Sequence, residues 1–131
     1  MYSAFMLRKI TPVLVVDAIE PVLPLWEALG FARTAEVPHG DRLGFVILAA
    51  GSLEVMYQTA GSIRDDNAAA LEGPRALGAA ALFIEVDDLP AAEASFPPDT
   101  DVIVRQRKTF YGSTETILRD AAGNVITLAQ F

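Results

Sequence analysis

The chain has 131 residues, 52% of them hydrophobic, which is enough to bury a core without staples, and it is read as one domain or as two small repeats sharing a core. With no cysteine it has no disulfide, no thiolate metal site and no cysteine nucleophile, which fits a reducing compartment. A formal charge of -7 repels phosphate backbones, and no basic run with interleaved aromatics is present, so nucleic acid is not an expected partner; an acidic surface serves solubility or attracts cationic ligands.

The opening MYSAFMLRKI holds no long apolar run behind its basic residues, and no later stretch reaches membrane-span length. No signal peptide and no membrane partner are therefore expected, and a cytoplasmic location is. Ile10 to Val16, ITPVLVV, reads as a strand, with Pro12 at its start or on an edge. Asp17 is expected to cap a helix running from about Pro21 to Leu29 and stopping at Gly30, with Leu25, Trp26 and Leu29 on its inner face. Trp26 is assigned to the core on that spacing. Phe31 to Val37 reads as a strand, PHGD (38–41) as a turn, Arg42 to Ala50 as a strand, AAGS as a reversal, and Ser52 to Gln58 as another strand. His39, the single histidine, falls in the PHGD turn and is given an exposed structural role.

The stretch 59–78 is small and polar and reads as a connector, with a short helix around Asn67–Leu71. The order then repeats. Ala79 to Val86 is a strand, Asp87-Asp88 caps the helix LPAAEASF, and Pro97-Pro98 ends it. DVIVRQRK and GSTETILRD are strands, AAGN turns, and Val125 to Phe131 closes the chain. TPVLVVDAIEPVLPLW (11–26) overlays ALFIEVDDLPAAEASF (81–96), placing Val16 on Val86, and GSLEVMYQ falls over GNVITLAQ. A repeated βαβββ unit follows, an α+β fold with module 1 at about 8–58, a connector at 59–78 and module 2 at about 79–131.

The segments ITPVLVVD, LWEALGF, VDDLPAA and LRDAAGNVITLAQ, in that order and spacing, resemble the vicinal oxygen chelate superfamily of glyoxalases, bleomycin-resistance proteins and extradiol dioxygenases. The resemblance runs from about Ile10 to Phe131. It implies two βαβββ modules forming a cupped mixed sheet, helices outside, a cavity within, and commonly a homodimer. It also implies four metal-ligand positions, carried here by Thr11, Glu54, Ala81 and Thr127. Only Glu54 is a competent ligand among them, and a divalent ion needs three or four donors, so no metal and no cofactor are expected.

Alternation in GSLEVMYQ puts Ser52, Glu54, Met56 and Gln58 on one face, and Leu53, Val55 and Tyr57 on the other, under the helices. Val125, Thr127 and Ala129 are expected to line the same cup. Glu54 then has three readings: a hydrated remnant of a metal site, an anchor for an amine or hydroxyl of a guest, or a general acid or base without metal. Glu115, in YGSTETILRD, stands where relatives lacking the metal set often carry glutamate; with Tyr111 it would flank the cup's mouth, unless it sits on a solvated strand face. Phe110 and Tyr111 beside Gly112 suggest an aromatic gate for planar guests. The candidate ligand-binding set is Glu54, Met56, Thr127, Phe110, Tyr111 and Glu115. The reading is a metal-free homodimer of the bleomycin-resistance type enclosing a small molecule, such as a cationic aromatic antibiotic. The alternative is a metal-dependent lyase, isomerase or dioxygenase with an atypical ion site.

Overall fold

A computed structural model describes residues 11–67 and 80–131, so Ile10, Ala79 and most of the helix expected at 67–71 lie outside the described residues. In chain order the elements are β1 (Val13–Val16), a 3-10 turn (Glu20–Val22), α1 (Leu23–Ala28), β2 (Ala32–His39), β3 (Arg42–Ala50), β4 (Leu53–Thr59) and α2 (Ala60–Asn67). There follow β5 (Ala81–Glu85), α3 (Leu89–Ala94), β6 (Asp101–Lys108), β7 (Thr114–Arg119) and β8 (Val125–Gln130). They form two four-stranded sheets with one topology, β1-β4-β3-β2 and β5-β8-β7-β6. In each, the first strand runs parallel to the last and the other pairs are antiparallel. The expected α+β fold with two βαβββ repeats is what the chain adopts. No helix among the described residues is long and apolar enough to cross a membrane.

Four local expectations need correction. The helix expected from Pro21 to Leu29 is two pieces, because Pro21 and Pro24 each sit in a first turn, where a missing N–H costs nothing. Asp17 is not its cap: the first turn starts at Glu20, behind Ile19, with no side-chain cap bond. The turn at 38–41 shrinks to Gly40-Asp41, since β2 extends through Pro38 to His39. A proline is tolerated there because β2 is an edge strand with a register shift between Val37 and Pro38. Finally, α2 starts directly after β4 at Ala60, seven residues before the helix placed in the connector. In module 2, Asp88 caps α3 as expected, accepting from the Ala91 N–H at 3.0 Å.

Strand alternation sorts the sheets into a buried and an open face. Leu14, Val16, Val46, Leu48, Val55 and Tyr57 of the first sheet are buried. They join Leu118, Ile126 and Leu128 of the second, with Trp26 of α1 and Leu89 of α3, in one cluster. The modules thus share a core through their helix-side faces. Tyr57 fastens them together: its hydroxyl accepts from Trp26 Nε1 at 2.9 Å and donates to Asp120 Oδ2 at 2.7 Å across the module boundary. Asp120 also organises the β7–β8 turn, accepting from the backbone N–H of Ala122 and Asn124 and from Asn124 Nδ2. The opposite faces are open, and Val13 and Val37 on one and Phe83 on the other are about half exposed.

Candidate functional site

Glu54 sits near the start of β4, half-buried, on the face it shares with Met56 and Gln58. Thr11 Oγ1 donates to its Oε1 at 3.2 Å. The carboxylate borders a groove of about 320 Å³ along the seam between the modules, with Pro12, Trp26 and Glu54 on one side and Leu82, Phe83 and Glu85 on the other. The walls are mainly apolar and two carboxylates reach them, so the groove suits an organic body carrying a cationic group. Met56, Thr127, Phe110, Tyr111 and Glu115 do not line it. Trp26 is core as expected, fully buried except for what the groove touches.

The pairing register revises the overlay of the repeats. Val13 pairs with Met56 in module 1 and Phe83 with Thr127 in module 2. With Val16 on Val86, the counterpart of Met56 is therefore Thr127, and that of Glu54 is Val125. Laying GSLEVMYQ directly on GNVITLAQ would instead put Glu54 over Ile126, which is fully buried beneath the helices. A shift of one residue exchanges the two faces of a strand. Ala81, for its part, pairs with Val125 rather than with Thr127. The sequence resemblance put the four ion positions at Thr11, Glu54, Ala81 and Thr127. The register moves the last of them to Val125, which leaves one carboxylate, one hydroxyl and two alkyl side chains, a donor set that does not fit a divalent cation. Among the described residues no group of three His, Cys, Asp or Glu side chains is placed to hold one.

Module 2 presents a second polar cluster on its open face. Glu115 is 1% exposed, and three side chains cover it: the Tyr111 hydroxyl and Ser113 Oγ (2.9 Å) donate to Oε2, while Arg107 Nη2 (3.1 Å) and Nε (3.4 Å) donate to Oε1. The layer over it is thin, since Arg107 and Tyr111 themselves face solvent. Its carboxyl is held below the usual range, chiefly by the Tyr111 hydroxyl; loss of water opposes this, and Ser113 and Arg107 add to it. Tyr111 and Glu115 do come together, but Glu115 is shielded and the solvent-facing polar group is Arg107.

Sequence alternation alone missed Arg107. Between β6 and β7, Val104 pairs with Ile117 and Arg107 with Glu115, so β6 carries one extra residue. Gln106 takes the left-handed backbone, φ 52°, and its N–H turns to Thr116 Oγ1 at 3.1 Å. The bulge sends Arg105 to Glu93 of α3, at 2.9 Å on the helix side, and Arg107 to the open face. Glu93 is also held below the usual range: burial pushes it up, but bonds from Thr116, Gln106 and Arg105 together outweigh that.

An exposed aromatic row continues from the groove. Phe83 and Phe131 have ring centroids 6.5 Å apart, Phe131 and Tyr111 6.4 Å, and Tyr111 and Phe110 5.2 Å. Phe110 is fully exposed in the β6–β7 loop. His39 stands apart from these features: it ends β2, is exposed, and its Nε2 lies 2.6 Å from Asp65 Oδ2 of α2.

No family model matches the chain, and no curated protein matches it. Solved structures do. A lactoylglutathione lyase from Agrobacterium tumefaciens aligns with a TM-score of 0.72 at 16% identity, over 94% of this chain and 92% of that one. A glyoxalase/bleomycin resistance protein/dioxygenase family enzyme from Burkholderia phytofirmans gives 0.68 at 16%, over 92% and 95%. TioX from Micromonospora gives 0.70 at 15%, over 94% and 98%. The architecture is accordingly that of the glyoxalase/bleomycin resistance/dioxygenase proteins. In the terms of the sequence resemblance, it is the vicinal oxygen chelate fold, built from two βαβββ modules in one chain.

Proposed function

We propose that the protein binds a small organic guest carrying a cationic group, without using a divalent ion, and that a second copy of the chain helps to enclose that guest. The seam groove carries this reading: apolar walls from both modules meet two carboxylates, Glu54 and Glu85. The donor set at the four ion positions supports the metal-free part, and the net charge of -7 favours approach of a cation. Sequestration of a basic aromatic antibiotic is the sharpest form of the proposal. The open sheet faces support a partner copy.

The test is calorimetry with 2-naphthylmethylamine in the presence and absence of a chelator. Binding is expected to be indifferent to chelator and to weaken about tenfold, a loss of about 1.4 kcal/mol, in Glu54→Gln. Purified protein that carries stoichiometric divalent metal and loses its activity or its melting temperature in chelator would overturn the metal-free reading in favour of a metal-dependent lyase, isomerase or dioxygenase.

A further inference from the structure

The seam groove accounts for Glu54 and Glu85 but leaves the open face of the second sheet unexplained. That face places a guanidinium beside a row of rings. Arg107, Glu115, Ala129 and Glu85 form one cross-strand row, with Glu85 at its far end on β5, and Thr127 and Phe83 lie one step along the same face. Phe131 follows Ala129 by two positions and lies between Phe83 and Tyr111, its ring tilted 53° to the one and 42° to the other. Since Tyr111 and Arg107 both bond Glu115, the end of the row and the guanidinium are fixed to one buried carboxylate.

Arg107 turns one edge of its guanidinium to Glu115 and the other to solvent. Nε and Nη2 both turn to one oxygen of Glu115, and Nη1 donates to none of the described residues. The side chain is 51% exposed, so this outer edge faces outward with its orientation already set from behind. A planar fork held in this way matches a carboxylate or another two-oxygen anion, where a flexible ammonium would not. The negative charge of Glu115 is shared among Tyr111, Ser113 and Arg107, which leaves the outer edge of the guanidinium attractive to an anion. Flat rings stepping about 6.5 Å apart offer faces and edges to an aromatic body.

We propose that Arg107 is a specificity-determining residue that selects guests bearing an anionic oxygen on a planar aromatic frame, with the Phe83–Phe131–Tyr111 row as the stacking wall. This deepens the proposed function and rests on it in one respect, that this sheet face contacts the guest. Phe83 is common to the groove and the row, so a guest with an amine at Glu54 and an acid at Arg107 satisfies both ends.

Three probes of one shape separate the possibilities: 2-naphthoate, 2-naphthamide and 2-naphthylmethylamine, titrated calorimetrically into the intact protein. The acid is expected to bind at least about tenfold tighter than the amide. Arg107→Gln should erase that preference, Arg107→Lys should retain only part of it, and Glu54→Gln should leave it intact. Both Arg107 variants are expected to melt below the parent, Arg107→Gln more than Arg107→Lys, because the buried Glu115 carboxylate loses a charged partner; the readout is therefore the acid-to-amide ratio, taken at a temperature where each variant is folded. Equal binding of acid and amide, no binding of the acid, or a preference that survives Arg107→Gln would overturn the inference. An amine indifferent to Glu54→Gln, beside an acid preference that depends on Arg107, would leave this inference standing and remove the proposed amine anchor instead.

Discussion

Tyr57 is buried completely, yet it carries a hydroxyl, and both of that oxygen's bonds run to side chains that differ in module or element. Burial, then the charge and hydrogen bond of Asp120, push the phenol's ionisation well above its ordinary value of 10.0. A raised folded value means that the stabilisation is whole below the unfolded phenol's range and drains away as pH climbs toward the folded one. Tyr57→Phe leaves Trp26 Nε1 without its acceptor and takes one donor from Asp120. The expected cost is about 1–3 kcal/mol, measured as a lower urea midpoint at unchanged m-value. A variant as stable as the parent would show that the hydroxyl is not what fastens the modules. Glu115 has the opposite sign. Its carboxyl is held below the ordinary 4.5, so its contribution is present above that value and fades as pH falls through the folded one. Glu115→Gln is therefore expected to flatten the fall in urea midpoint between about pH 5 and pH 3, and a profile parallel to the parent's would count against the assignment.

The elements show which features could be read from residue order. Period-two alternation in GSLEVMYQ and VITLAQ marked the buried faces of β4 and β8, whereas VLVV and LGFVILAA are apolar on both sides and showed strands without showing which face is hidden. The order of elements along the chain, a strand, a helix and three strands twice over, was legible from the repeat; the order of strands within each sheet was not. Glu54 was legible as a carboxylate on the open face of β4 from the alternation. Arg107 was not, because a bulge leaves no mark in hydrophobic periodicity: Arg105 and Arg107 are two apart and should share a face, yet one meets Glu93 and the other Glu115. The seam groove was equally hidden, since it depends on how one module sits against the other. The bulge itself is testable at Gln106. Its positive φ disfavours side chains branched at Cβ, whereas glycine adopts it freely. Gln106→Val is expected to fall below Gln106→Gly by about 1–2 kcal/mol in urea unfolding. The reverse order would mean that position 106 is extended and that Arg107 points elsewhere.

For the whole molecule, the question is what becomes of two open sheet faces. The outer edges are poor places for strand addition: β2 carries Pro38 and two register shifts, and β6 carries two shifts of its own. Association is therefore expected through the faces, where Val13 and Val37 are exposed on one sheet and Phe83 and Phe131 on the other. Burying such surface contributes about 25 cal/mol per Å², and a stable pair needs at least about 1,000 Å² in all. On this argument the protein should run in light scattering at twice 14.0 kDa. Val13→Glu with Val37→Glu should bring it to one chain without lowering the melting temperature measured at high dilution, since neither side chain is part of the shared core. If the partner also walls the guest, the same double variant should bind 2-naphthylmethylamine more weakly, although Glu54 and Glu85 are untouched. A monomer that binds the amine at full strength would mean that the groove of one chain suffices. The exposed valines would then need an explanation other than a second copy.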